Sequence, residues 1–393
     1  RSREERQQAR EEEIRQYAQE IIEKARHAQE ELGAEVGQLP TRVKAVASGH
    51  TELVAEQPRH KKKLALRKVP NEAALADDYK VAIQSCCGRS HVFVRPNQDD
   101  VFFFATDDGL LVAGVFDGHG KDGHRVAGVV RHRVLQTLAE RLPEDRLMRT
   151  DEDVRAEMEQ ILRETFESAH RGLAGWTADD MDVALSGAAA CVAVYDVPRR
   201  CLYVASAGNV RCVFGEARPA ERRNSMVGRR VKAKLHPQRL TEDHTTKNPK
   251  ELSRVAAGPA SFVSEGDKTD LQLICAEGSR YPGIPLTRCL GNLVAQEVGV
   301  STEPHVSDLT VADNPNAKIL VLATDGIMEV MGDMDVLQTI HQAKQANLQD
   351  GVHSVVNHAW DKWQAKAGPN GFVDDMTVCA MWLPVALVVD PDE

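Results

Sequence analysis

Short apolar runs separated by turn residues recur along the chain from Tyr79 onward. Most of these runs are bounded by glycine, proline, asparagine or aspartate, and this pattern predicts β-strands. The predicted strands are KVAIQSCC (80–87), DVFFFATD (100–107), LLVAGVFD (110–117), AAACVAVYD (188–196), CLYVASAG (201–208), VRCVFG (210–215), KILVLATD (318–325) and MTVCAMWL (376–383).

Longer stretches between these runs repeat apolar residues at steps of three and four, which predicts amphipathic helices. Helices are expected over 124–142, 151–173, about 335–346 and 351–366. Many strands follow one another directly, and the helices come in pairs. A parallel sheet would need strict alternation of strand and helix, so the order favours an α+β fold in which helices pack outside antiparallel sheets.

The N-terminal region has a different pattern. Residues 1–32 are highly charged, begin with a possible capping box at Ser2 and Glu5, and carry a narrow apolar stripe from Ile14 to Leu32. This predicts one helix, which either binds a partner or lies against its own domain. Residues 33–78 contain scattered prolines and a Lys61–Lys63 run and are predicted to be a linker or extension, followed by a catalytic domain over 79–393.

Composition narrows the functional classes. The 393 residues carry a net charge of −10, which disfavours a nucleic-acid-binding protein. No apolar run approaches the roughly 18 residues that cross a bilayer. The eight cysteines form no CxxC pair, so we expect buried free thiols and a cytoplasmic or nuclear location. The chain begins at Arg1, so N-terminal targeting or lipidation is not judged.

Three aspartates stand at strand boundaries. Asp117 and Asp325 each end a predicted strand and precede a glycine, and Asp374 comes just before the last strand. Antiparallel neighbours would bring two strand ends and one strand start to the same rim. Clustered carboxylates raise each other's pKa unless a cation neutralises them, and ligands that are all oxygen favour Mg²⁺ or Mn²⁺ over zinc.

Other candidate residues flank this rim. His119 lies between two glycines, which we expect to leave its ring exposed as an acid or base, whereas His124 opens a helix and is expected to be a cap or surface residue. Upstream, Asp99 and Asp100 start another strand, and Arg95 precedes them. An arginine beside a metal-carboxylate cluster suggests an oxyanion substrate, because guanidinium binds phosphate with two hydrogen bonds.

In order, these segments resemble the metal-dependent Ser/Thr protein phosphatases of type 2C, the PPM family. The resemblance covers about 79–384, and VFDGHG (115–120) is its most specific motif. The other matching segments are RPNQDD (95–100), LSGAAACVAVYD (185–196), LYVASAGNVRCVF (202–214), LTEDHTTKNPKELSRV (240–255), YPGIPLTRCLGN (281–292), LATDGIMEVM (322–331) and DDMTVCAM (374–381).

The resemblance implies a four-layer α-β-β-α sandwich with two Mg²⁺ or Mn²⁺ ions in one active site. By position, Asp117 bridges both ions, and the Gly118 carbonyl joins it. Asp325 and Asp374 complete one ion, and Asp99 holds the other, in a register uncertain by one residue. A metal-activated water then attacks phosphoserine or phosphothreonine.

Further roles follow from the same resemblance. Arg95 binds the phosphate, and His119 protonates the leaving oxygen. The stretch from about 256 to 282 corresponds to the variable flap beside the active site.

Three positions depart from the family pattern. Asn209 stands where an aspartate helps to bind a third metal together with an acid at Glu329, so that site is expected to be degraded. Asn292 stands where aspartate is usual, and SGAAA (186–190) has alanines where Ser or Thr is common. We therefore expect a protein serine/threonine phosphatase acting on phosphoproteins. The alternatives are a pseudophosphatase that binds phosphoproteins, or scaffolds partners through its N-terminal helix, without efficient turnover, and a hydrolase of a small phosphorylated metabolite.

Overall fold

The structure, a computed structural model, describes residues 43–49, 80–90, 95–173, 181–218, 234–265, 268–343, 347–368 and 371–384. The strands within these ranges are β1 (Val43–Gly49), β2 (Val81–Cys86), β3 (Asp99–Thr106), β4 (Leu110–His119), β5 (Gly187–Asp196), β6 (Cys201–Ala207), β7 (Arg211–Arg218), β8 (Lys234–Arg239), β9 (Ser261–Glu265), β10 (Lys268–Cys275), β11 (Pro282–Ile284), β12 (Leu290–Gly291), β13 (His305–Thr310), β14 (Lys318–Ala323) and β15 (Met376–Trp382).

These strands form two large antiparallel sheets. Sheet 1 has the order β1-β3-β4-β5-β6-β13, with β12 paired to the start of β5. Sheet 2 has the order β2-β15-β14-β7-β8. A small third sheet has the order β11-β10-β9. Its strands β9 and β10 lie within the stretch predicted to be the flap, and β11 extends past its end.

Helices cover the outer faces of both large sheets. The α-helices in the described residues are α1 (Gly123–Arg141), α2 (Asp151–Leu173), α3 (Pro249–Ala256), α4 (Leu293–Glu297), α5 (Asp325–Met328), α6 (Asp333–Gln342) and α7 (Leu348–Ala367). One apolar core joins α1 and α2 to sheet 1, and another joins α6 and α7 to sheet 2. A third core fills the space between the sheets.

The alternation of side chains along each strand explains these layers. In β3, Phe102 and Phe104 pack on the helices, whereas Phe103 packs between the sheets. Because both faces are covered, every residue of β3 is buried, and its middle, VFFFA, reads as a continuous apolar run.

The predicted α-β-β-α class is confirmed, but the boundary at residue 79 does not mark the start of the sheets. Val43–Gly49, which we assigned to a linker, form β1 and pair antiparallel with β3. The predicted helix over 1–32 lies outside the described residues, and the division into domains otherwise stays a prediction.

All eight cysteines are free thiols, and seven are buried. Among the described helices, none has the length and apolar character to span a bilayer.

Candidate active site

Asp99 and Asp117 face each other across two neighbouring strands of sheet 1. They are direct partners in the antiparallel pairing of β3 with β4, so their side chains point to the same face. Burial raises the pKa of both carboxyls well above the usual value. Asp100 points to the opposite face and accepts a hydrogen bond from Arg131 Nε at 2.8 Å. Asp99, and not Asp100, therefore belongs to the carboxylate cluster.

Sheet 2 brings two more carboxylates to the same place. Asp325 is the first residue of α5, directly after β14, and Asp374 lies two residues before β15, which pairs with β14. Burial and the nearby Asp325 raise the pKa of Asp374 to about 7. Burial also raises the pKa of Asp325, which shares a hydrogen bond with Asp117. The four aspartates from the two sheets thus form one cluster.

Two neutral side chains and one arginine donate hydrogen bonds to carboxylate oxygens of this cluster. Thr324 Oγ1 donates to Asp99 Oδ2 at 2.9 Å, and Asn209 Nδ2 donates to Asp325 Oδ2 at 2.7 Å. Arg95 Nη2 lies 3.0 Å from Asp374 Oδ1. In this arrangement, no three carboxylate, imidazole or thiol groups of the described residues are gathered closely enough to enclose a metal ion.

The donor set nevertheless fits a hard divalent cation. All its donors are carboxylate oxygens, and burial raises the pKa of each, so that negative charge on them is costly without a cation. Asp99 Oδ1 is buried and has no hydrogen-bond partner. A cation bound by the four aspartates would remove both deficits.

Glycines allow the chain to turn tightly beside Asp117. The Gly118 N–H donates to the Gln98 carbonyl at 3.0 Å, and a Cβ on Gly118 would lie 2.3 Å from the Gly123 carbonyl oxygen. Gly120 has a φ of +86°, which disfavours other residues. Any side chain at 118 would therefore push the turn away from β3.

His119 is less open than the sequence suggested. Its ring is partly buried, and burial lowers its pKa to about 4 against a hydrogen bond with the Asp117 backbone. The side-chain amide nitrogen of Asn292 contacts Nε2. Since an amide N–H can only donate, Nε2 accepts and the neutral ring carries its proton on Nδ1. The expectation of an exposed acid or base was wrong about exposure.

The two residues predicted at a degraded third-metal site, Asn209 and Glu329, each have another partner. Asn209 is used as a donor to Asp325, as described above. The side chain of Glu329 is 50% exposed and lies 3.5 Å from Lys366 Nζ. The degradation of a third-metal site stays a prediction.

Sequence reasoning missed Asp375. Its carboxylate is 3% exposed and accepts from Arg95 Nη1 at 2.9 Å, while Arg95 also pairs with Asp374. A second acid directly before an apolar strand was the available signal, because a buried carboxylate needs partners.

Comparisons with known proteins agree with this architecture. The sequence model of the family described as Protein phosphatase 2C matches residues 90–364, well over half of the chain; Asp374 lies beyond the match. "Probable protein phosphatase 2C 72" of Arabidopsis thaliana is 26% identical and aligns with 73% of this chain and 81% of its own length. "Probable protein phosphatase 2C 12" of Oryza sativa subsp. japonica is 26% identical, with 73% and 78% covered.

Solved structures show the same fold. The serine-threonine phosphatase 2C from Toxoplasma gondii superposes with a TM-score of 0.61 at 19% identity, covering 77% of this chain and 94% of that chain. A C. elegans sex determining protein superposes with a TM-score of 0.55 at 18% identity, covering 78% and 65%.

Proposed function

The chain belongs to the protein phosphatase 2C family of serine/threonine phosphatases, and on that premise we propose that it hydrolyses phosphoserine and phosphothreonine in proteins with the aid of Mg²⁺ or Mn²⁺. The observation that carries the proposal is the cluster of four carboxylates from two sheets, one buried and three partly buried, with one arginine beside it. Such a cluster of negative charge is costly without cations.

The cations would be held by the four aspartates. We propose two ions, which Asp117 and the Gly118 carbonyl would help to hold. Asp325 and Asp374 would complete one ion, and Asp99 would hold the other. When bound, such ions supply the Lewis acidity that makes water a nucleophile near neutral pH.

The residues around the cluster would bind and orient the substrate. Arg95 offers guanidinium donors to the phosphate, and its pairing with Asp374 supports its position beside the reacting group. His119 would supply the proton for the leaving oxygen. Since its Nε2 accepts from Asn292, that role requires this contact to be exchanged when the substrate binds.

The pseudophosphatase alternative has no support from the comparisons. Its motivation was the three departures from the family pattern together with the N-terminal helix, and none of these departures replaces one of the four clustered aspartates. A phosphoprotein substrate suits a member of this family. Partner binding through residues 1–32 and a cytoplasmic or nuclear location stay proposals. The location rests on eight free cysteines.

Hydrolysis of a phosphothreonine peptide in Mn²⁺ or Mg²⁺ tests the function. We expect turnover that chelation abolishes and metal restores, and a loss of at least about a hundredfold in kcat for Asp325→Ala, as when a group that stabilises the transition state is removed. Asp313→Ala is the control, because Asp313 is 63% exposed and forms an ion pair with Arg200, away from the four aspartates. No turnover with either metal, or an unchanged rate for Asp325→Ala, would disprove the proposal.

A further inference from the structure

One buried carboxylate joins three separate segments beside the candidate active site. Asp375 Oδ1 accepts from the Gly88 N–H at 2.6 Å. Its Oδ2 accepts from the Gln98 N–H at 2.8 Å and from Arg95 Nη1 at 2.9 Å. Because the side chain is 3% exposed, these contacts are shielded from water and keep their strength.

The same contacts determine which donors of Arg95 remain available. Nη1 is held by Asp375 and lies 3.4 Å from Gln98 Oε1. Nη2 lies 3.0 Å from Asp374 Oδ1, and the buried Nε has no hydrogen-bond partner. The Phe372 ring lies 5.5 Å from the guanidinium carbon. The guanidinium is therefore held through Nη1 by Asp375, and its Nη2 lies beside Asp374.

We propose that Asp375 is the positioning residue for phosphate recognition: by fixing Nη1, it presents the Nε and Nη2 donors of Arg95 to the substrate phosphate. An arginine side chain loses much rotamer freedom when it binds a ligand, and a partner that already orders it reduces this loss. Asp375 touches no substrate in this scheme, and it acts through Arg95. The inference rests on the proposed function, because it assigns Arg95 to the phosphate.

A double-mutant cycle between Arg95 and Asp375 tests the proposal. The variants are Arg95→Ala, Asp375→Asn and the two combined. Two quantities are measured in Mn²⁺: the Kd of inorganic phosphate by calorimetry, and KM and kcat on a phosphothreonine peptide. Asp375→Asn keeps the shape of the side chain but removes the charge that orders the guanidinium.

We expect Asp375→Asn to raise the phosphate Kd and the peptide KM by about tenfold in the wild-type background, the effect of losing one charge-assisted hydrogen bond. In the Arg95→Ala background, the same change should alter either quantity by less than about twofold, because there is no guanidinium to position. Equal effects in both backgrounds would show that Asp375 acts only through its hydrogen bonds with the Gly88 and Gln98 N–H groups. That result would overturn the proposal.

Asp100→Asn is the matched control. Asp100 is equally buried, at 1% exposed, and pairs with Arg131 at 2.8 Å on the face turned away from the cluster. It should leave the phosphate Kd unchanged. If Asp375→Asn does not fold, Arg95→Lys tests the same geometry, because lysine keeps the charge but not two fixed edges. A Kd that rises about tenfold supports the proposal, and an unchanged Kd overturns it.

The two hypotheses fail in different ways. A wild-type protein that turns over the peptide but gives an additive cycle overturns the role of Asp375 alone. A wild-type protein that neither hydrolyses the peptide nor binds phosphate overturns the proposed function.

Discussion

Replacing Asn209 by aspartate would test how the cluster manages its negative charge. The Asn209 amide donates to Asp325 Oδ2 at 2.7 Å, and Asp325 already has a raised pKa. The variant Asn209→Asp exchanges this donor for a carboxylate at the same distance. It removes one favourable contact and adds a repulsive one.

The repulsion has a calculable upper limit. Two charges about 4 Å apart interact by about 4 kcal/mol at an effective dielectric constant of about 20. The new carboxyl can avoid this by taking up a proton, which costs about 4 kcal/mol at pH 7 for an ordinary aspartic acid. Either route limits the electrostatic loss of unfolding free energy to about 4 kcal/mol. The lost hydrogen bond adds about 1 kcal/mol to this loss.

Thermal unfolding with and without Mn²⁺ measures the effect. In chelator, Asn209→Asp should melt lower than wild type by about 5 to 10 °C, as expected for this loss in a large domain. Mn²⁺ should reduce the difference, because a cation that binds the new carboxylate stabilises the folded state by about 2.7 kcal/mol at a hundred times its Kd.

Asn209→Ala is the control, since it removes the hydrogen bond without adding charge. Its smaller destabilisation should not depend on Mn²⁺ beyond the dependence of the wild type. If the aspartate and alanine variants melt alike in chelator and respond alike to Mn²⁺, the electrostatic reasoning is refuted.

Three further predictions follow from other contacts. Gly118→Ala should cost about 3 kcal/mol of unfolding free energy through the backbone clash, whereas Gly128→Ala, whose nearest atom is 3.8 Å away, should be neutral or stabilising by urea unfolding. Trp363→Phe removes the 2.6 Å hydrogen bond to the Gly326 carbonyl and should cost about 1 to 3 kcal/mol by the same measurement; equal stability would contradict it. Although burial opposes it, hydrogen bonds from two arginines lower the pKa of Glu251 to about 2. A lowered folded-state pKa stabilises the protein above about pH 4.5 and is lost as the pH falls toward 2, so Glu251→Gln should weaken the acid dependence of urea unfolding over that window.

The sequence predicted the elements correctly where a strand buries the side chains of both its faces. The predicted helix over 151–173 matches α2, and the eight predicted strands all occur. Two of the strands that were missed bury few of their residues. Only one residue of KLHPQR in β8 is buried, and β13 is partly exposed throughout, so neither carries a strong hydrophobic pattern.

The residues of the site were predictable where the ends of predicted strands place them at the same edge of the sheets. The grouping of Asp117, Asp325 and Asp374 followed from that rule, and pairing across β3 and β4 selected Asp99 over Asp100. What the sequence could not supply were contacts between distant segments. The burial of His119 depends on such contacts, as does the hold of Asp375 on Arg95 across 280 positions.

The division of the cluster between the sheets links the site to the stability of the whole sandwich. Sheet 1 supplies Asp99 and Asp117, and sheet 2 supplies Asp325 and Asp374. The hydrogen bond from Thr324 to Asp99 joins the two sheets directly beside the cluster. An interaction that brings these carboxylates together therefore also holds the two sheets together. Uncompensated charge on the carboxylates has the opposite effect and favours separation of the sheets. Since a ligand that binds only the folded state stabilises it, a cation at the cluster should protect the amides of β4 and β14 from hydrogen exchange together, although they lie in different sheets.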